Sequence, residues 1–234
     1  MKIHCVLTAV TGAAAILLAG CGGPAINVAA KADIDRQLVS RDSTPSVPAP
    51  DSGVFKPMPL AVGQWVKFKV VDEKSEPSIL TYKILGEEKG AFWVESVNET
   101  YQGKKLQKLL VFFGSRTDPK EIKIRAIKTM DNGYKNELPN SMVSMMEELF
   151  KGALSSLILD WKGLPQEDAF VPAGSFAGCY KARGKAQWGP WKSEADSWCH
   201  PAVPINGLVR SKGVGKEFAM ELLAYGLTGA VSEF

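Results

Sequence analysis

Catalysis by this chain would have to work with very little imidazole, because the 234 residues include only two histidines, His4 and His200. Chemistry that needs several imidazoles is excluded at once. A serine nucleophile needs a base beside it, and Ser175, His200 and Asp196 can be assembled on paper. His200, however, lies between Cys199 and Pro201, and no G-x-S-x-G elbow is present. The hydrolase reading is therefore weak. The 25 acidic residues offer many carboxylates, but nothing in their spacing singles out a catalytic pair. There is no phosphate loop, no G-x-G-x-x-G turn and no C-x-x-C. With a single histidine near the late cysteines, a zinc site is not expected. The reading is of a non-enzymatic protein without cofactor or metal.

The cysteines carry more information. Residues 1–20 open with Lys2 and continue through an apolar stretch from Cys5 to Leu18, broken by Thr8, Thr11 and Gly12. That stretch is too short and interrupted to span a bilayer and reads as a secretory leader. It ends in Leu18-Ala19-Gly20-Cys21, which resembles the lipobox of bacterial lipoproteins. The resemblance implies cleavage before Cys21, a thioether-linked diacylglycerol on its sulfur and acylation of the new amine. The alternative is an ordinary signal peptide with a coincidental cysteine. Each buried methylene contributes roughly 0.8 kcal/mol, so several chains on one residue hold a protein stably where one does not. Gly22 after the cysteine implies the outer membrane, with the protein facing the periplasm. Membrane attachment is expected through Cys21 alone, because no later segment has 18 consecutive apolar residues.

With Cys5 removed and Cys21 lipidated, Cys179 and Cys199 remain. In an oxidising compartment such a pair is expected to form a disulfide, closing a loop of about 20 residues and stabilising by very roughly 3 kcal/mol. Two buried thiols are the alternative.

Composition sets the remaining bounds. Hydrophobic residues make up 45% and charged residues 23% of the chain, enough for a real core. A formal charge of +3 is too mild for a nucleic-acid binder. Three segments are expected: the leader at 1–20, a lipidated Cys21 with a Pro/Ser/Ala linker over 21–53, and one globular domain over 54–234. The run 44–53 is too rich in proline for regular helix, and a short helix is possible around Ala32 to Val39.

Short alternating runs begin after Leu60. In Gln64 to Val71, Val66, Phe68 and Val70 share one face, and Trp65, Lys67 and Lys69 the other. Similar runs cover 79–85, 91–98, 106–113 and 121–130, separated by charged and Gly turns, which predicts an antiparallel meander. Residues 140–160 then show apolar residues at three- and four-residue steps, which predicts one amphipathic helix. Strand texture returns over 170–183, 197–199, 207–211 and 216–225. The predicted fold class is α+β, a curved antiparallel sheet with this helix on its concave face.

Val171-Pro172-Ala173-Gly174-Ser175-Phe176, then Cys179-Tyr180, Trp198, Val203-Pro204-Ile205-Asn206-Gly207 and Glu221 to Gly226 together resemble a loose group of bacterial envelope lipoproteins of unknown role. Domains of that group are similar to the LolA/LolB-type half-barrel, an open sheet plugged by helices. The same prolines and glycines are also explained by strand ends and tight turns.

Two residue groups remain. Met142, Met145, Met146 and Leu149 lie on the predicted helix, and flexible methionines adapt to irregular apolar ligands as readily as they fill cores. Trp188, Trp191 and Trp198 fall within one short stretch, suited to an interface or to core packing. The expectation is a lipid-anchored envelope protein that binds a lipid or other hydrophobic ligand between sheet and helix. The alternative is a scaffold or partner-binding subunit of an envelope complex, using the Trp188–Trp198 surface.

Overall fold

The computed structural model describes residues 25–39, 45–51, 54–73, 75–114, 121–131, 133–144, 147, 161–162, 164–188 and 191–234. The leader, Cys21, Met145, Met146 and Leu149 lie outside the described residues.

The alternating runs pair where the sequence places them. Helix α1 (Val28–Leu38) is followed by the short strands β1 (Ser46–Val47) and β2 (Val54–Phe55). A meander then runs through β3 (Trp65–Asp72), β4 (Ser75–Glu88), β5 (Ala91–Thr100), β6 (Gly103–Phe112), β7 (Lys123–Asp131) and β8 (Tyr134–Glu137). After β9 (Trp161–Lys162), a second run comprises β10 (Gln166–Val171), β11 (Gly174–Trp188), β12 (Trp191–Cys199), β13 (Leu208–Gly213) and β14 (Phe218–Gly226). A two-residue turn joins β4 to β5. Lys89 and Gly90 both adopt positive φ, 50° and 74°, between the paired Glu88 and Ala91, as a two-residue hairpin of right-handed twist requires.

Strand β14 closes antiparallel onto β3, so the two runs fuse into one 12-stranded sheet of order β1-β11-β12-β13-β14-β3-β4-β5-β6-β7-β8, with β10 on the other side of β11. Strands β2 and β9 form a separate pair. The described residues are therefore mostly β-sheet, and the predicted α+β class with one main helix on a half-barrel is overturned. The reason lies in how the apolar face is buried. One hydrophobic cluster draws Val66, Phe68, Leu80, Val94, Leu109 and Ile127 from the first run and Phe176, Tyr180, Leu208, Val209 and Leu222 from the second. A sheet this long curls or splits so that its two runs share one core, which Val143 of the predicted helix also joins. Of the predicted helix, residues 140–144 and 147 are helical and the remainder lies outside the described residues.

Part of the opposite face of the first run is also covered, by different elements. Helix α1 starts at Asn27, whose side chain accepts from the amides of Ala29 and Ala30. It packs Ile34 against Ile79 and Tyr101. The Tyr101 hydroxyl donates to Asp35 Oδ1 at 2.8 Å. The C-terminal residues 227–234 cross the same face, and the Ala230 amide donates to the Gly63 carbonyl at 2.9 Å.

Candidate functional site

The serine–histidine–aspartate group that can be assembled on paper does not form in the fold. Asp196 sits opposite Arg183 across β11 and β12 and accepts from its Nε and Nη2 at 2.7 and 2.9 Å. The hydrogen bonds from Arg183 hold its carboxyl below the ordinary carboxylate value. His200 is buried with both ring nitrogens in use. Nδ1 accepts from the Ala202 amide at 3.1 Å, which leaves Nε2 to donate to the Pro48 carbonyl at 3.1 Å. The imidazole thus fastens residues 45–50 to the end of β12. Ser175 lies on β11 opposite Ser46, and its amide donates to the Pro45 carbonyl at 3.0 Å.

Cys179 and Cys199 are buried thiols with no disulfide between them, contrary to expectation. Register is the cause. Cys199 pairs with Tyr180, and a one-residue offset sends neighbouring side chains to opposite faces of a strand. The Cys179 thiol lies 3.6 Å from the Phe176 carbonyl instead, and burial, aided by the charge of Asp168, pushes its pKa up to about 12.

The methionine and tryptophan groups divide similarly. Met142 is exposed, and its neighbour Val143 takes the place in the core. Trp198 is half-buried and donates Nε1–H to Glu167 at 3.1 Å, with Lys181 and Arg210 standing 5.1 and 5.5 Å from the ring centre. Trp188 and Trp191 are register partners at the end of the β11–β12 hairpin. Strand β10 flanks β11 only as far as Tyr180, and β13 pairs with β12 only from Ala195 onward. The Val214 amide still donates to the Glu194 carbonyl at 2.8 Å, and the pairs Ala186–Ser193, Gln187–Lys192 and Trp188–Trp191 extend past the neighbouring strands as a two-stranded ribbon.

Sequence reasoning did not find the polar site beneath the C-terminal residues. Period-2 alternation along β5 puts Trp93, Glu95, Val97 and Glu99 on one side of the sheet. Cross-strand register brings Lys83 beside Glu95 and Lys104 beside Glu99. Glu95 is fully buried and accepts from the Ser232 hydroxyl at 2.7 Å and the Glu233 amide at 3.0 Å. Lys83 Nζ reaches Glu233 at 2.6 Å, the Val231 carbonyl at 3.0 Å and Glu95 at 3.4 Å. Lys104 bridges Glu233 at 3.1 Å and Glu99 at 3.3 Å. Burial by itself would raise the Glu233 carboxyl, but the hydrogen bonds from Lys83 and Lys104 outweigh it and hold the group below its ordinary value. Beside this network opens a cleft of about 340 Å³, lined by Trp65, Lys67, Thr81, Lys83 and Glu99 and roofed by residues 229–233. The legible signal was Val97 between two acids of the same face, since an apolar residue there implies cover.

Among the described residues no His, Cys, Asp or Glu cluster could hold a metal ion, and no helix is long and apolar enough to cross a membrane.

No protein-family description and no curated protein matches the chain. A solved structure from Bacteroides fragilis, of a protein assigned as exported and with a YmcC-like fold, superposes with a TM-score of 0.38 at 12% identity, covering 72% of this chain and 97% of that one. Likeness at that level leaves the role of this chain to its own residues.

Proposed function

We propose that this chain is a non-enzymatic lipoprotein of the bacterial envelope, anchored through lipid on Cys21 at the outer membrane and facing the periplasm, and that it works as a partner-binding scaffold. The observation that carries the reading is the β11–β12 ribbon. A two-stranded ribbon with no third strand is marginal in water, and this one runs past its neighbours to end on the Trp188–Trp191 pair. Tryptophans at such a tip suit contact with a second protein. The hydrophobic-carrier alternative has less support. Met142 faces solvent, and the cleft described above carries Lys67, Thr81, Lys83 and Glu99 in its lining.

Two measurements test the reading. A photocrosslinking residue at Gln187, introduced in cells, is expected to give one discrete protein adduct that the same residue at Glu137 on β8 does not give. Equal adducts at both positions, or none, would sink the scaffold reading, as would a stoichiometric lipid recovered from the purified domain by organic extraction. For the anchor, Cys21→Ser is expected to move the protein from the membrane to the soluble fraction and to remove the acyl mass. A wild-type chain without that mass would refute lipidation.

A further inference from the structure

Helix α1 fixes where the anchor leaves the domain, and from this we infer that one end of the sheet is a docking surface for the lipid bilayer. The inference rests on the lipid at Cys21 proposed above. Just ahead of α1, the Asn27 amide donates to the Tyr101 carbonyl at 2.8 Å. The helix is then held by Ile34, 1% exposed against Ile79 and Tyr101, and by the Tyr101 hydroxyl on Asp35. Lys31 pairs with Asp35 and lies 4.5 Å from the Tyr101 ring centre. Six residues of chain therefore run from Cys21 to this fixed point. They reach at most about 22 Å, whereas a domain of this size is roughly 40 Å across. Were the chain free as far as β2, 33 residues would intervene, with a reach of more than about 100 Å, and any orientation would be open. With α1 packed, the β5–β6 turn stays near the bilayer. The opposite strand end, at the β4–β5 turn, cannot be turned to the bilayer in its place.

A second observation is what the near end exposes. Antiparallel register gathers the β3–β4, β5–β6 and β7–β8 turns at one end of the strands. Tyr134, at the β7–β8 turn, is 80% exposed, and Ile26 and Val28, on either side of Asn27, are 53% and 79% exposed. Aromatic and aliphatic side chains beside an anchor suit the boundary between headgroups and water. Glu73 and Glu76 are exposed at the β3–β4 turn. The surface is therefore no basic patch, and its attraction to lipid is apolar and does not require anionic headgroups. The β11–β12 ribbon leaves the sheet at the same strand end, so a partner taken there is met at the level of the headgroups.

The test uses the full lipoprotein in vesicles of phosphatidylcholine and phosphatidylethanolamine that carry an energy-transfer acceptor on a headgroup. A donor dye is placed through Gln102→Cys on the β5–β6 turn or Glu88→Cys at the β4–β5 turn, both exposed positions. Cys179 and Cys199 are buried. Transfer several-fold higher from position 102 than from position 88 is expected. A Gly/Ser insertion of about 20 residues between Gly23 and Pro24 frees the orientation from the tether. The difference is expected to persist there in reduced form, and to vanish when Tyr134→Glu is added, with Tm unchanged because the site is exposed. Equal transfer from the two positions in the lengthened chain would overturn the docking surface. So would a Tyr134→Glu variant that keeps the whole difference. Equal transfer in the wild-type spacing, on protein whose acyl mass is present, would overturn the docking and leave the anchor standing. Absence of the acyl mass would overturn both.

Discussion

Both faces of strands β3 to β6 bury side chains, yet by different physics. On one side Val66, Phe68 and Val70 join the large cluster shared with β10 to β14. On the other, Trp65, Lys67 and Lys69 alternate with them, and their neighbours include Thr81, Lys83, Glu95 and Glu99 under α1 and the C-terminal residues. The first face is held by area removed from water, which is tolerant of direction. The second is held by directed hydrogen bonds among charges, which contribute only if each group finds its partner. The first should therefore govern global stability and the second local order.

The sharpest way to break that division is to cut into both faces and compare. Phe68 is fully buried in the apolar cluster. Phe68→Ala is expected to cost about 3–5 kcal/mol, read from urea denaturation. A cost below about 1 kcal/mol would mean the two runs of strands do not share one core. On the polar side, Glu95→Gln keeps the shape but removes the charge that Ser232, Glu233 and Lys83 address. The expected cost is about 2 kcal/mol, with hydrogen exchange at the Ala230 amide accelerating before any amide of β3. Uniform acceleration across the sheet would erase the distinction between the faces.

The same contrast explains what was legible in the sequence. Alternation in Gln64 to Val71 placed Val66, Phe68 and Val70 inward correctly, because burial on the core face leaves a period of two. The outer face leaves no such mark. Its cover comes from an 11-residue helix that buries chiefly Ile34 and from residues 227–234, which have no periodicity to read. Lys83 and Glu95 look like solvated strand residues until register brings them together. The α+β expectation failed for a related reason. Local pattern proposes a helix at 140–160, but it does not reveal that β14 returns to pair with β3, which joins the two runs into one sheet. The disulfide expectation failed on a single-residue register offset, a quantity that no count of cysteines contains.

A smaller effect separates β1 from the rest of the sheet. Gly174 sits at φ 145°, where L side chains are rarely found, and an added Cβ would run into the Pro45 carbonyl that accepts from Ser175. Gly174→Ala is expected to cost about 1–3 kcal/mol and to expose residues 45–51 to limited proteolysis while the β3–β6 amides stay protected. Unchanged proteolysis would mean β1 is held by His200 alone rather than by its pairing with β11.

His200 supplies the smallest and most specific test of that attachment. Burial lowers its pKa below the ordinary 6.5, and the hydrogen bond to the Pro48 carbonyl opposes this in part. The folded protein thus holds the ring neutral in a range where the unfolded chain would protonate it. The unfolded state then binds more protons, so stability rises with pH across that window. The contribution is present above about pH 6.5 and is lost as pH falls toward the lower folded value. The Nδ1 atom that accepts from Ala202 is the one that must take the proton, so protonation breaks that bond first and loosens the His200–Pro48 link next. Wild-type Tm is expected to drop between about pH 7.5 and 5.5 by more than that of His200→Asn, which has no titrating ring there. Proteolysis at residues 45–51 should increase over the same interval. If both proteins lose stability in parallel, the pH response does not come from the imidazole, and its link to Pro48 is structural without being pH-sensitive.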